Sequence, residues 1–144
     1  MGEGKDLDIL KETFKETGTD VSSIFIDLYK KKHKNADVFV LDARDLDTNR
    51  SFDCIYSNKV LQHLTKSEFK VSLKKQKDLL NEKGILFHSL WKGDKEEKYG
   101  DLLFVYYSKE SLIKLVEKDY EIVEISTYKE IHDDDSLYII LKKK

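Results

Sequence analysis

The chain has 144 residues, a normal length for one domain and long enough for a hydrophobic core. It is 38% charged and 40% hydrophobic, which is typical of a folded globular protein and excludes a disordered chain. The net charge of −2 predicts no nucleic-acid partner, and no apolar run approaches the ~20 residues that span a bilayer, so we expect no membrane association. The single cysteine, Cys54, and the lack of a signal-peptide pattern predict a cytoplasmic protein.

The first residues combine a glycine pair with a helix signal. Gly2-Glu3-Gly4 runs into Lys5–Lys11, a predicted helix with Leu7 and Leu10 on one face. The glycines suit a backbone that comes close to a ligand, and a floppy amino terminus is the alternative. Thr13–Thr19 is predicted as a weak strand, because it is rich in threonine but poor in large apolar residues.

Residues 21–34 allow two predictions. As a helix, Val21–Lys34 is capped by Ser22 or Ser23. The apolar residues at helical spacing are Ile24, Phe25, Leu28 and Tyr29. As a strand, Val21–Leu28 is suitably β-branched and aromatic. The run Lys30–Lys34 is predicted to be the solvated carboxyl end of the helix, with a phosphate-binding patch as the alternative.

Two strands are predicted next. Asp37–Leu41 is a compact apolar strand, and Phe52–Ser57 is an alternating one. The second strand ends in the polar residues Ser57, Asn58 and Lys59. Small ligands bind at the carboxyl ends of strands in parallel α/β sheets, so this stretch is a candidate binding site.

A capping box predicts the start of the following helix at Thr65-Lys66-Ser67-Glu68. One face of this helix holds Phe69, Leu73, Gln76 and Leu80. Asn81-Glu82-Lys83-Gly84 is predicted to end the helix with a glycine. Ile85–Leu90 is the next predicted strand, and Trp91–Asp101 is a polar loop.

The last third contains a helix and two closing strands. Leu102–Tyr107 is predicted as a short strand or an ordered lid, and Ser108 caps a helix. Tyr120–Tyr128 and Leu137–Leu141 are predicted to pair in antiparallel fashion. The segment His132–Asp135 between them is predicted to be a charged turn and not a metal site, because its consecutive residues cannot all converge on one ion.

The order of these elements indicates the fold class. Strands separated by helices predict a three-layer α/β fold with a mostly parallel sheet and an antiparallel strand at one edge. Neither an internal repeat nor a linker interrupts the chain, so residues 1–144 are predicted to form a single domain.

Several stretches, taken in chain order, carry a family resemblance. They are Gly2-Glu3-Gly4, Gly18-Thr19-Asp20-Val21-Ser22, Val40-Leu41-Asp42-Ala43, Phe52–Leu64, Leu80–Leu86 and Asp135–Leu141. Together they resemble class I S-adenosylmethionine (SAM)-dependent methyltransferases, in particular the type 11 and type 25 domain groups. The resemblance implies a Rossmann-like methyltransferase sheet, mostly parallel with an antiparallel C-terminal strand pair.

The spacing of acidic residues, compared with this family, favours the helix for residues 21–34. Asp20 and Asp42 are 22 positions apart, about what a helix plus a strand needs between the family's two acidic positions. Asp27 and Asp42 are only 15 positions apart, which is too few. We therefore take Val21–Lys34 as the helix.

The resemblance also implies that this methyltransferase fold is N-terminally incomplete. Gly2-Glu3-Gly4 matches the end of the family's glycine-rich loop, so the family's first strand, central in its sheet, would precede Met1. Three explanations stay open: a truncated chain, direct pairing of the family's second and fourth strands, or another chain, as in a homodimer, that fills the gap. We expect a chain that truly begins at Met1 to bind SAM poorly.

Site residues follow from the resemblance. It implies that Asp20 accepts the two ribose hydroxyls of SAM, that Asp42 accepts the adenine amino group, and that Ser57 lies near the methionine part. The full cofactor-binding set is Gly2, Gly4, Asp20, Val21, Asp42, Ala43, Ser57 and Asn58. Candidates for the methyl-acceptor pocket are His63, His88, Trp91, Tyr106 and Tyr107, each of which packing alone could also explain.

The expected function is methyl transfer from SAM to a small molecule, with S-adenosylhomocysteine as the product and no metal. No insertion for substrate recognition is visible, and there is no strongly basic face for RNA. The absence of proline excludes the Asn/Asp-Pro-Pro-Tyr signature of amino-group methylation. The alternative is a degenerate methyltransferase fold that serves as a non-catalytic binding module. A nucleotide-binding domain of another kind is disfavoured, because the glycine spacing fits neither a P-loop nor a dinucleotide fingerprint.

Overall fold

The computed structural model describes all residues, Met1–Lys144, and they fall into two compact units. The first unit is Met1–Thr48 and the second is Asn49–Lys144. The single domain expected for residues 1–144 stays a prediction. None of the helices is long and apolar enough to cross a membrane.

The first unit alternates helices and short strands. Its elements are α1 (Lys5–Leu10), β1 (Gly18–Asp20), α2 (Ser23–Lys32) and β2 (Val38–Val40). The two strands are parallel, with Gly18 opposite Val38 and Asp20 opposite Val40. A helix that connects two parallel strands is the βαβ arrangement, and it places both strand ends at the same edge. The small core consists of Leu7, Ile26, Tyr29 and Val38.

The helix predicted for residues 21–34 is confirmed, and of its four apolar residues at helical spacing only Tyr29 is buried. Ser22 caps α2 by accepting the Phe25 N–H. The buried residues of α2 are Ile26 and Tyr29, whereas Ile24 is 70% exposed. The Tyr29 hydroxyl donates to Asp8 of α1 at 2.7 Å, which joins the two helices.

The weak strand predicted at Thr13–Thr19 is wrong over its first residues. The chain turns after α1, with the Thr13 N–H donating to the Leu10 carbonyl, and β1 begins only at Gly18. A side chain at Gly18 would not fit, because its Cβ would lie 2.6 Å from Cδ2 of Leu7.

A four-stranded sheet dominates the second unit. Its elements are β3 (Phe52–Asn58), a 3₁₀ turn (Leu61–His63), α3 (Lys66–Leu79), β4 (Leu80–Trp91), β5 (Glu96–Tyr99), β6 (Leu102–Val105), α4 (Lys109–Val116), β7 (Tyr120–Tyr128) and β8 (Ser136–Lys143). The sheet order is β3-β4-β8-β7, in which β3 and β4 are parallel and β8 is antiparallel to both of its neighbours. The predicted α/β fold with an antiparallel C-terminal pair is confirmed.

The caps of both helices in this unit match the sequence. Thr65 and Glu68 form the predicted capping box of α3, and Ser108 caps α4 with Ser111 as its partner. The helix end is different from the prediction. Helix α3 stops at Leu79 and passes directly into β4, whose first residue pairs with β3.

Two further differences from the prediction concern a backbone conformation and a loop. The left-handed conformation expected at Gly84 is taken by Lys83, with φ of 64°. Part of the predicted loop Trp91–Asp101 is strand β5, which pairs with β6 in an antiparallel hairpin. The sequence of β5, Glu96–Tyr99, is mostly charged, so the apolar alternation that reveals a half-buried strand is missing.

Candidate functional site

In the first unit, two carboxylates stand at the carboxyl ends of neighbouring parallel strands. Asp20 is the last residue of β1, and Asp42 follows β2 by two positions. The Leu41 N–H donates to the Asp20 carbonyl at 3.0 Å, which joins the two strand ends. This edge is where ligands bind in parallel α/β sheets.

Backbone donors fix the carboxylate of Asp20. Its Oδ1 accepts a hydrogen bond from the Ser22 N–H at 2.9 Å. Its Oδ2 accepts hydrogen bonds from the nitrogens of Gly2 and Met1 at 2.8 and 3.0 Å. Partial burial acts to raise the pKa of Asp20, but these donors outweigh burial and hold the pKa below its usual range. Asp20 is therefore a fixed anion near neutral pH.

Asp42 has a partner that the sequence analysis missed. The Arg44 guanidinium donates to it from Nε at 3.0 Å and from Nη2 at 2.6 Å, and the Arg44 N–H donates at 2.9 Å. Arg44 holds the pKa of the Asp42 carboxyl below its usual range. An arginine two residues after a predicted site aspartate was the available signal. The predicted neighbour Ala43 is half-buried.

The two candidate glycines differ in their surroundings. Both have left-handed backbones, with φ of 54° at Gly2 and 89° at Gly4. A Cβ on Gly2 would meet no atom within 4 Å, whereas a Cβ on Gly4 would lie 2.3 Å from Cε2 of Tyr29. Gly4 is thus required for packing inside the first unit, and Gly2 has open space beside it. The apolar candidate Val21 is 65% exposed next to Asp20.

In the second unit, Ser57 and Asn58 end β3 and are each tied to β4. The Ser57 hydroxyl lies 2.6 Å from Nδ1 of His88, and the Ser89 hydroxyl donates to Oδ1 of Asn58. These pairs are direct cross-strand neighbours in the β3–β4 register. The polar strand end predicted from sequence is therefore ordered by its own sheet.

His88 is a core residue. It is 1% exposed, and its Nε2 lies 2.7 Å from Oε1 of Gln76 on α3. Burial lowers the pKa of His88 to about 3, so the imidazole is neutral near pH 7. Gln76 lies on the predicted apolar face of the helix, and its contact with His88 was not predicted. A glutamine on an apolar face was the available signal for a buried polar contact.

Trp91 contacts the side chain of Lys59. The Lys59 ammonium lies 3.8 Å from the Trp91 ring centroid, donates to the Ser136 hydroxyl at 2.8 Å and is paired with Glu130. Lys59 has a left-handed backbone, with φ of 58°. One face of Trp91 therefore serves an internal cation–π contact.

The remaining acceptor-pocket candidates lie at the β5–β6 hairpin. Nδ1 of His63 is 2.8 Å from the Leu103 carbonyl, and its ring packs edge-on against Phe104. The Tyr106 hydroxyl donates to Glu97 at 3.0 Å. The structure thus brings His63 to the hairpin and holds Tyr106 within it.

Tyr107 is buried with an unpartnered hydroxyl. Its side chain is 1% exposed, its ring packs edge-on against Phe69, and its Oη has no hydrogen-bond partner. Tyr107→Phe is expected to raise the free energy of unfolding by about 1 kcal/mol, because an unsatisfied buried polar group costs roughly 1–3 kcal/mol. Urea unfolding measures this change.

Tyr120 provides the matched control for that prediction. It is also 1% exposed, but its hydroxyl donates to the Leu73 carbonyl at 2.6 Å. Tyr120→Phe leaves that buried carbonyl without this donor, so the free energy of unfolding is expected to fall. Equal losses in the two variants would contradict the assignment of Tyr107 as unpartnered.

The acidic segment before β8 is a turn, as predicted. The Asp135 carboxylate accepts the N–H groups of Glu130, Ile131 and His132 at 2.8 to 2.9 Å. These bonds direct Asp135 to its own backbone. No group of three or more His, Cys, Asp or Glu side chains is arranged to hold a metal ion.

Comparison with known proteins identifies relatives in sequence and in fold. The sequence profile described as "Methyltransferase domain" matches residues 1–84. No curated protein matches the chain. A SAM-dependent methyltransferase from Clostridium acetobutylicum aligns with a TM-score of 0.82 and 15% identity, over 99% of this chain and 80% of its own.

Two further structures carry bound ligands. The 1,6-didemethyltoxoflavin-N1-methyltransferase of Burkholderia thailandensis, with 1,6-didemethyltoxoflavin and S-adenosylhomocysteine bound, has a TM-score of 0.82 and 16% identity, over 99% of this chain and 68% of its own. The N-methyltransferase NodS of Bradyrhizobium japonicum, in complex with S-adenosyl-L-homocysteine, has a TM-score of 0.74 and 17% identity, over 98% and 73%. These similarities confirm the predicted Rossmann-like fold.

Proposed function

This chain belongs to the methyltransferase-domain family, and we propose that it transfers the sulfonium methyl group of SAM to a small-molecule acceptor. The observation that carries the proposal lies in the first unit. Asp20 ends β1, and Asp42 follows the neighbouring parallel strand β2 by two positions, which is where an α/β sheet binds a nucleoside. Both carboxylates are anionic near neutral pH and can accept hydrogen bonds from such a ligand.

Each candidate cofactor-binding residue named below for the first unit has a proposed chemical role. Asp20 accepts the ribose hydroxyls with lone pairs that its backbone donors leave free. Asp42 accepts the adenine amino group and shares its charge with Arg44. The exposed side chain of Val21 offers an apolar surface to the adenine ring, and Gly2 leaves room for a ligand.

For the second unit, the proposal assigns Ser57 and Asn58 to the methionine part of SAM. Both side chains are already oriented by hydrogen bonds to β4, so binding costs little side-chain entropy. His63 and Tyr106 remain candidates for contact with the acceptor.

The reaction is an in-line displacement. The acceptor nucleophile forms a bond to the methyl carbon while the carbon–sulfur bond breaks, and its electron pair stays on sulfur to give neutral S-adenosylhomocysteine. A nucleophile that carries a proton releases that proton to water. The leaving group is activated by its positive charge, so most of the catalysis can come from positioning. A small-molecule acceptor is supported by the similar structure from Burkholderia thailandensis, a methyltransferase with 1,6-didemethyltoxoflavin bound.

Binding of S-adenosylhomocysteine tests the proposal. The ligand is expected to raise the melting temperature of the wild-type chain, at concentrations up to the millimolar range. Asp20→Asn is expected to weaken binding at least about tenfold, because hydrogen bonds to a charged group contribute roughly 1.5–3 kcal/mol. Asp45→Asn, an exposed carboxylate in the same unit, is the matched control and leaves binding unchanged.

Each outcome has a defined meaning. No stabilisation of the wild-type chain by millimolar ligand would contradict the proposal. Equal weakening by Asp20→Asn and Asp45→Asn would contradict the assigned role of Asp20. Binding of SAM without methyl transfer to any of a panel of small amines, phenols and thiols would favour the non-catalytic binding module.

A further inference from the structure

A continuous line of polar side chains runs through the core of the second unit. The Ser57 hydroxyl lies 2.6 Å from Nδ1 of His88, and Nε2 of His88 lies 2.7 Å from Oε1 of Gln76. The Gln76 amide nitrogen donates to the Ser72 hydroxyl at 3.0 Å. His88, Gln76 and Ser72 are 1%, 2% and 0% exposed. Only Ser57, which is half-buried, reaches the surface.

The direction of hydrogen bonding along this line is fixed at its buried end. Because the amide nitrogen of Gln76 donates to Ser72, its Oε1 faces His88 and acts as an acceptor. Nε2 of the neutral imidazole must then carry the hydrogen, and Nδ1 presents a lone pair. The hydroxyl hydrogen of Ser57 therefore points to Nδ1 of His88.

Ser57 is consequently left with lone pairs only. A serine hydroxyl has one hydrogen and two lone pairs, and here the hydrogen is committed to the core. Toward a ligand, Ser57 can accept a hydrogen bond but cannot donate one. A carboxylate would meet repulsion at this oxygen, whereas an N–H group would be bound.

The same three residue types could instead activate Ser57 as a nucleophile. That role needs a histidine basic enough to take the hydroxyl proton. Burial lowers the pKa of His88 to about 3, so it is a poor base near pH 7. The line of contacts therefore orients Ser57 and does not ionise it.

We propose that His88 and Gln76 are positioning residues that hold the Ser57 hydroxyl as a hydrogen-bond acceptor for the α-ammonium group of SAM. This inference rests on the proposed function, since it takes Ser57 as a residue that contacts the methionine part. It adds a chemical selectivity that the family assignment does not contain. The site accepts a cationic N–H donor at Ser57 and disfavours ligands that lack it.

The first test needs no ligand. Long-range proton–nitrogen NMR of the histidine rings reports which nitrogen carries the hydrogen, and His88→Gln identifies the signals by their loss. The expected pattern is a hydrogen on Nε2 and a bare Nδ1. A hydrogen on Nδ1 would overturn the proposal, because Ser57 would then accept from His88 and keep its own hydrogen free.

The second test compares two ligands by calorimetry: S-adenosylhomocysteine and its analogue without the α-amino group. Ser57→Ala is expected to weaken binding of the first about tenfold and to leave binding of the second unchanged. Gln76→Leu is expected to weaken binding of the first ligand in the same way, because Nε2 of His88 then has no acceptor to fix its hydrogen. Melting temperatures of all variants check that they fold.

The outcomes separate this inference from the proposed function. Equal weakening of the binding of both ligands by Ser57→Ala would overturn the inference but would not contradict the proposed function. Failure of the wild-type chain to bind either ligand would overturn the proposed function and the role given to the α-ammonium group. The NMR pattern still decides in that case whether Ser57 is held as an acceptor.

Discussion

Gly4→Ala is expected to lower the free energy of unfolding by about 3 kcal/mol. The residue has φ of 89°, where a Cβ costs roughly 1–2 kcal/mol. The new Cβ would also lie 2.3 Å from Cε2 and 2.6 Å from Cδ2 of Tyr29, and overpacking of a core adds roughly 1–3 kcal/mol. The ring cannot move freely, because Tyr29 is 4% exposed and its hydroxyl is bonded to Asp8. Urea unfolding followed by circular dichroism measures the loss.

Gly2→Ala is the matched control for this substitution. Gly2 also has a left-handed backbone, with φ of 54°, but its added Cβ would meet open space. Only the backbone cost of about 1 kcal/mol is expected. Similar losses in the two variants would show that Gly4 is not closely covered by Tyr29, and would return it to the glycines that make room for a ligand.

Much of this fold could be predicted because its signals are local. The capping box at Thr65 marks the start of α3, and the closing pair β7–β8 is revealed by apolar residues flanking a turn. For residues 21–34 local propensity was ambiguous. The distance along the chain between Asp20 and Asp42 favoured the helix, and the structure contains it.

The features that sequence did not predict depend on contacts between distant residues. Tyr29 of α2 donates to Asp8, which lies 21 positions away in the chain. The partners Ser57 and His88 are separated by 31 positions, and each alone reads as an ordinary strand residue. Only the register of β3 against β4 brings them together, and register is a property of the folded sheet.

The site shows the same limit at the level of chemistry. Sequence placed Asp20 and Asp42 at strand exits, and the structure puts them there. The spacing of Arg44, two residues after Asp42, was a signal, but spacing alone does not show that the guanidinium contacts the carboxylate. The roles of these residues toward SAM stay predictions that the binding experiments test.

Lowering the pH from about 8 to about 5 is expected to reduce the free energy of unfolding by about 2 kcal/mol, with His88 as the cause. Its pKa is 6.5 when exposed and about 3 in the folded protein, because burial penalises the charged form. Below pH 6.5 His88 binds a proton in the unfolded chain, whereas in the folded chain it stays neutral until the pH falls to about 3. Stability is therefore complete above pH 6.5 and falls through this window by about 1.4 kcal/mol per pH unit.

The variant His88→Gln isolates this contribution, since glutamine has similar size and does not titrate. Carboxylates with depressed pKa values, such as Asp20 and Asp42, also destabilise the fold on acidification, but they do so at lower pH, as the pH falls below about 4. Between pH 8 and 5 the wild-type chain should lose stability more steeply than the variant. The 1% exposure of His88 and its two uncharged partners indicate a buried, neutral imidazole. Parallel pH profiles of the two proteins would contradict this state of His88.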